Sequence, residues 1–134
     1  MLRYAQMYAI LSVEVMELKE DKLGDLSMQL SVDVLNLVQE LRSKKETIIS
    51  NQIGRSATSV CANIAESKYG HSRADFIAKL EIALKEANET GKWLEMLLKT
   101  HYIDEGKYKS INRTCSTIRI LLIASIKTAK ENGK

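Results

Sequence analysis

Apolar side chains recur at alternating steps of three and four along nearly the whole of this 134-residue sequence. Tyr4, Tyr8, Leu11, Val15 and Leu18 form the first such row. Leu26, Leu30, Val34, Leu37 and Leu41 form the second, and Ile49, Ile53, Ala57, Val60 and Ile64 the third. Phe76, Leu80, Ala83, Ala87, Thr90, Leu94 and Leu97 make a fourth, and Tyr108, Ile111, Cys115, Ile118, Leu122, Ser125 and Ala129 a fifth. That spacing places one apolar stripe on one side of a helix and no consistent face on a strand. The chain has no proline and only 6 glycines, so the many tight turns of a sandwich or barrel are excluded. The expected fold is all-α, an antiparallel up-down four-helix bundle over residues 23–134. Residues 1–22 are expected to form an amphipathic helical extension. Short connections between long helices imply antiparallel neighbours.

The ends of these helices carry local signals. Around Asp21 to Asp25 the pattern breaks, so the second row either continues the first helix through a kink or starts afresh with Asp25 as cap. Arg42–Glu46 is polar and forms a connection. Gly54 weakens the third helix by about 1 kcal/mol relative to alanine and permits a bend. Lys68-Tyr69-Gly70-His71 is a loop in which Gly70 can take a positive φ. Ser72 is an N-cap with Asp75 at the third helical position, and Asp104 can cap the last helix. The third helix is rich in small residues (Ser50, Ser56, Ala57, Thr58, Ser59, Ala62, Ala65 and Ser67), which suits a helix packed on more than one side. On the last helix, Ile120, Leu121, Ile123 and Ile126 widen the apolar face beyond what one intramolecular seam needs, which points to burial in another subunit.

Lys plus Arg exceeds Asp plus Glu by 20 to 17, a net charge of +3. Residues 1–100 carry 13 basic and 14 acidic side chains, whereas residues 101–134 carry 7 and 3. The positive field therefore gathers at the C-terminal end. Such cations either complement a helix dipole or meet a polyanion. Cys61 and Cys115 lie at apolar positions, as reduced buried thiols of a cytoplasmic protein would. The longest apolar run, Ile120–Ala124, is far too short for a membrane span, and Gln6 and Glu14 interrupt the N-terminal apolar stretch, so neither a membrane helix nor a signal peptide is expected.

No nucleophile, phosphate-loop, dinucleotide or metalloprotease motif occurs. His71 and His101 are the only histidines, and neither has a glutamate three positions earlier, as a di-iron helix would require. No enzyme activity, metal or cofactor is therefore expected. Polar groups on helical faces remain: Arg55, Asn63 and Glu66 on the small-residue helix, and Glu81, Glu86 and Glu89 on the next. Either these pair with one another and fix helix register, or Arg55 joins Lys68 and Arg73 to face a phosphate.

The stretch Gln52-Ile-Gly-Arg-Ser-Ala-Thr-Ser-Val-Cys-Ala-Asn-Ile-Ala-Glu66 resembles the signature L-x-R-S-x-x-S-I-x-x-N-I-A-E. That signature marks the four-helix-bundle proteins of intervening sequences in bacterial 23S ribosomal RNA genes. Ser72 to Thr90, followed by Trp93-Leu94-Glu95, is similar to that family's next helix. The resemblance implies a homopentameric ring, and a relationship to the basic accessory protein that serves a reverse transcriptase in diversity-generating retroelements. It maps the motif's Arg, Asn and acid onto Arg55, Asn63 and Glu66, as structural or assembly residues together with Glu86 and Glu89. Ser67 stands where much of the family has glycine. The resulting expectation is a non-enzymatic oligomer that binds RNA or DNA through its phosphates, by Arg55, Lys68, Arg73, Arg113, Arg119, Lys127 and Lys130. The alternative is a protein-interaction scaffold.

Overall fold

The computed structural model describes residues 3–7, 9 and 21–133, and among them there is no strand. Four long helices account for most of these: α1 (Lys22–Ser43), α2 (Ile48–Ser67), α3 (Arg73–Lys99) and α4 (Glu105–Glu131). Residues 3–7 are helical and exposed. The rest of the stripe expected from Tyr4 to Leu18 lies outside the described residues.

Each expected stripe over α1 to α4 faces inward. Leu30, Val34, Leu37 and Leu41 of α1 are buried, with Ile53, Ala57, Val60 and Ile64 of α2. Leu80, Ala83, Ala87, Thr90, Leu94 and Leu97 of α3 are buried, with Ile111, Cys115, Ile118 and Leu122 of α4. At about 1.5–3 kcal/mol for each fully buried Leu or Ile, this core outweighs any surface ion pair, which contributes about 0–1 kcal/mol. α2 packs between α1 and α3, α3 between α2 and α4, and α4 also touches α1. The contacts run in opposite directions along neighbouring helices. Ser56 meets Thr90 while Glu66 meets Lys79 further along, and Asn88 meets Arg119 while Glu81 meets Lys130.

The helix ends depart from expectation in instructive ways. α1 is capped by Asp21, not Asp25: the Asp21 carboxylate accepts from Gly24 N–H at 3.0 Å. A Cβ at position 24 would collide with that carboxylate, so the glycine makes the cap possible. Asp25 sits in the first turn, where its charge opposes the positive end of the helix. Glu46, expected to be connection, is buried. Its carboxylate accepts from the N–H groups of Ile48, Ile49 and Ser50 at 3.2, 3.2 and 2.7 Å. Thr47, at the N-cap position, makes no side-chain cap bond. Ser72 and Asp104 cap α3 and α4 as expected, accepting from Asp75 and Lys107 N–H.

α2 runs unbroken through Gly54. A Cβ there would stand 3.4 Å from Val38 Cγ2. Gly70 does not have a positive φ; its value is closeness, since a Cβ would lie 3.2 Å from Phe76 N. The left-handed residues among those described are Lys45 (φ 64°) and His101 (φ 66°), in the α1–α2 and α3–α4 connections. On α4, Ile126 is buried at the distal end, while Ser125 and Ala129 are half-buried. Ile120 and Ile123 are left 68% and 55% exposed.

Candidate nucleic-acid interface

The inward side of α4 is set by Ile111, Cys115, Ile118, Leu122 and Ile126. Helical periodicity then turns Arg113, Ile120 and Lys127 outward, and all three are exposed. α4 carries six basic and two acidic residues, a net +4 that no other of the four helices approaches. Arg113 and Lys127 form no ion pair among the described residues. Arg119 is held instead by neutral groups, donating to Ser116 Oγ at 3.0 Å and Asn88 Oδ1 at 3.5 Å, with its guanidinium over Gly91. Lys130 pairs with Glu81 at 3.0 Å. Lys109, one turn before Arg113 on the same outward side, belongs with these cations and is absent from the set expected from the sequence; its i, i+4 spacing to Arg113 is the signal that marks it.

Lys68 and Arg73 line a cleft of about 690 Å³ between the α2–α3 loop and the end of α4, together with Phe76, Ser125 and Thr128. Lys68 also pairs with Asp21. Burial works against the charged form of Asp21. The hydrogen bond from Lys68, the Gly24 N–H and the Lys68 charge outweigh it, and the carboxyl titrates below the ordinary aspartate range. Arg73 reaches over Gly133 at the end of α4.

Arg55 does not join Lys68 and Arg73. They are separated by about 20 Å along α2, and the Arg55 guanidinium forks onto α3, with Nη2 to Glu89 at 2.8 Å and Nη1 to Glu86 at 3.2 Å. Hydrogen bonds to Glu89 and then Glu86 raise its pKa above the usual arginine value. Beside this fork, the buried Ser56 and Thr90 hydroxyls lie 2.8 Å apart. Glu66 pairs with Lys79 of α3 at 2.8 Å, and Asn63 donates within α2 to Ser59 O at 2.8 Å. Arg55 and Glu66 thus both pair with α3. With Arg55 at 53% side-chain exposure, the fork contributes at the level of a surface pair.

The thiols and imidazoles occupy four separate places. His71 and His101 are exposed in the connections. Cys61 is half-buried on α2. Cys115 donates to Ala87 O at 3.2 Å, and burial pushes its thiol up to about 11. No three His, Cys, Asp or Glu residues cluster as metal ligands among the described residues. No helix among them is long and apolar enough to cross a membrane.

The family model described as 23S rRNA-intervening sequence protein matches residues 19–124. The chain belongs to that family. Among solved structures, it is similar to the crystal structure of a protein of unknown function from the S23 ribosomal protein family of Bacteroides thetaiotaomicron VPI-5482. The two share 50% sequence identity over 78% of this chain and 98% of that one, with a TM-score of 0.77. No curated protein matches the chain. Within the family match lie Arg55, Asn63, Glu66, Arg113 and Arg119, whereas Lys127, Lys130 and residues 1–18 fall outside it.

Proposed function

We propose that this 23S rRNA-intervening sequence protein is a non-enzymatic, cytoplasmic accessory protein that assembles as a homopentameric ring and binds RNA or DNA through backbone phosphates. The protomer is read as an antiparallel up-down four-helix bundle, supported by the opposed contacts between neighbouring helices. The observation that carries the binding reading is the outward side of α4, where Lys109, Arg113 and Lys127 stand exposed without acidic partners. One copy at +3 is a weak polyanion binder. Five on one ring total about +15, and the array raises effective concentration as well as field. A phosphate backbone needs only such a charge pattern, with no base-reading side chains. The reverse transcriptase of a diversity-generating retroelement is the protein partner this reading favours.

Filter binding of RNA and of duplex DNA at about 50 and 200 mM salt tests it, since phosphate contacts make affinity fall steeply with salt. Binding at low salt that weakens at high salt is expected. In Arg113→Gln/Lys127→Gln, the salt slope falls by roughly 0.7–0.9 for each phosphate that is no longer neutralised. Absence of binding to either nucleic acid at about 50 mM salt overturns the proposal. A protein-interaction scaffold is the second reading, and the exposed apolar ridge of Met28, Val32 and Leu35 on α1 favours it.

A further inference from the structure

α2 carries only two charged residues, Arg55 and Glu66, and both are engaged with α3. The side of α2 turned toward α1 and solvent holds Gly54, Thr58, Ala62 and Ala65, small and uncharged, with Ala62 and Ala65 exposed. Beside it on α1, Met28, Val32 and Leu35 repeat at helical spacing and are 56%, 47% and 46% exposed. Gly54 against Val38, and the Ser31 hydroxyl against Ala57 O, bring the two strips together into one face. Small side chains beside an apolar ridge let another helix approach closely, and the charges nearest this face, Asp25 and Arg42 on α1 and Arg55 and Glu66 on α2, lie at its edges rather than within the row of Met28, Val32 and Leu35.

The chain holds a fitting occupant. Twenty residues precede Asp21, and their stripe of Tyr4, Tyr8, Leu11, Val15 and Leu18 is also free of charge. The Asp21–Lys68 pair fixes Asp21, the residue that follows this segment, at the shared end of α1 and α2. Its described portion, residues 3–7, is helical and exposed, with Tyr4 at 81% and Met7 at 58%. The protomer's own face therefore does not cover Tyr4 and Met7. As a helix, the 17 steps from Tyr4 to Asp21 would reach about 26 Å, enough to span a neighbouring copy's face.

We propose that the N-terminal segment of one copy docks its apolar stripe on the α1–α2 face of a second copy. This rests on the oligomeric reading above. It is a head-to-tail contact, the kind that closes into a ring when its rotation allows.

Cys61, on α2 in the same face, is a native reporter, while Cys115 is buried. Full-length Val15→Cys/Cys61→Ala is mixed with tagged wild-type chain, allowed to exchange subunits and oxidised mildly. Leu11→Cys and Leu18→Cys, each in the Cys61→Ala background, cover the neighbouring registers. A disulfide-linked pair of unlike chains, mapped by peptide mass to Cys61, is expected. It is lost when Leu11→Glu is added at unchanged helical content. Light scattering separates the failures. A multimeric mass with no such link at any of the three positions overturns this inference and leaves the oligomer standing. A link formed only within one chain, in Val15→Cys with Cys61 intact, also overturns it. A single-copy mass overturns both.

Discussion

Replacing Glu46 should reveal that α2 is started by a residue outside it. Glu46 is only 7% exposed, and its two carboxylate oxygens accept from three consecutive N–H groups that have no other helical partner. In Glu46→Ala these donors lose an acceptor, which costs about 1–2 kcal/mol by analogy with N-caps. The anion at the positive end of the helix is also lost, about another 1 kcal/mol in a partly buried setting. The sum, about 2–3 kcal/mol, is a large part of the ~5–15 kcal/mol that holds a typical domain folded. Glu46→Gln keeps an acceptor oxygen and should lose only the charge contribution, about 1 kcal/mol. Urea unfolding followed by circular dichroism, at one fixed protein concentration because assembly shifts apparent stability, gives both values. With a slope near 1.5 kcal/mol/M, the Glu46→Ala midpoint falls by about 1.3–2 M at unchanged slope. Two results would refute the reasoning: Glu46→Ala within about 0.5 kcal/mol of wild type, or a stabilised Glu46→Gln. The latter would mean that desolvating the carboxylate outweighs its three hydrogen bonds.

Two further predictions concern titrating groups. The folded-state pKa of Cys115, about 11, lies above the ordinary thiol value of 9.0, so folding favours the protonated form. That contribution is complete below pH 9 and is lost as pH rises through about 11, a loss of at most roughly 3 kcal/mol. Cys115→Ala should flatten the wild-type stability curve in that window, and a thiol reagent should modify Cys61 but not Cys115 in folded protein; equal rates at both would contradict the burial. Asp21 is shifted the other way, so its contribution is present above pH 3.8 and lost as pH falls below that through the folded-state value. Asp21→Asn should therefore narrow its stability gap to wild type on acidification, and a gap constant from pH 6 to pH 2.5 would count against the Lys68–Asp21 pair.

Much of this was legible in the sequence because it depends on local periodicity. The core of α3 is legible residue by residue from Leu80 to Leu97, and Ser72 and Asp104 are recognisable as caps from their position alone. Arg55 was harder. Its place on the small-residue helix leaves pairing and phosphate contact both open, and only the packing of α2 on α3 brings Glu86 and Glu89, more than thirty residues later, within reach of its guanidinium. Glu46 looked like surface connection, since polar composition says nothing about three N–H groups above a carboxylate.

What the sequence determined by itself is therefore the helical state, the inward stripe of each helix and the concentration of positive charge in its last quarter. Each follows from the 3.6-residue repeat and from side-chain chemistry, both properties of neighbouring residues. The tertiary structure alone decided that Lys45 and His101, rather than Gly70, take the left-handed turns, since chain reversal between packed helices sets those angles. It also decided which cations remain without carboxylates, and that Met28, Val32, Leu35, Ile120 and Ile123 stay uncovered in one copy. Pairing and exposure depend on what other helices bring alongside, and that information is not local to any stretch of chain.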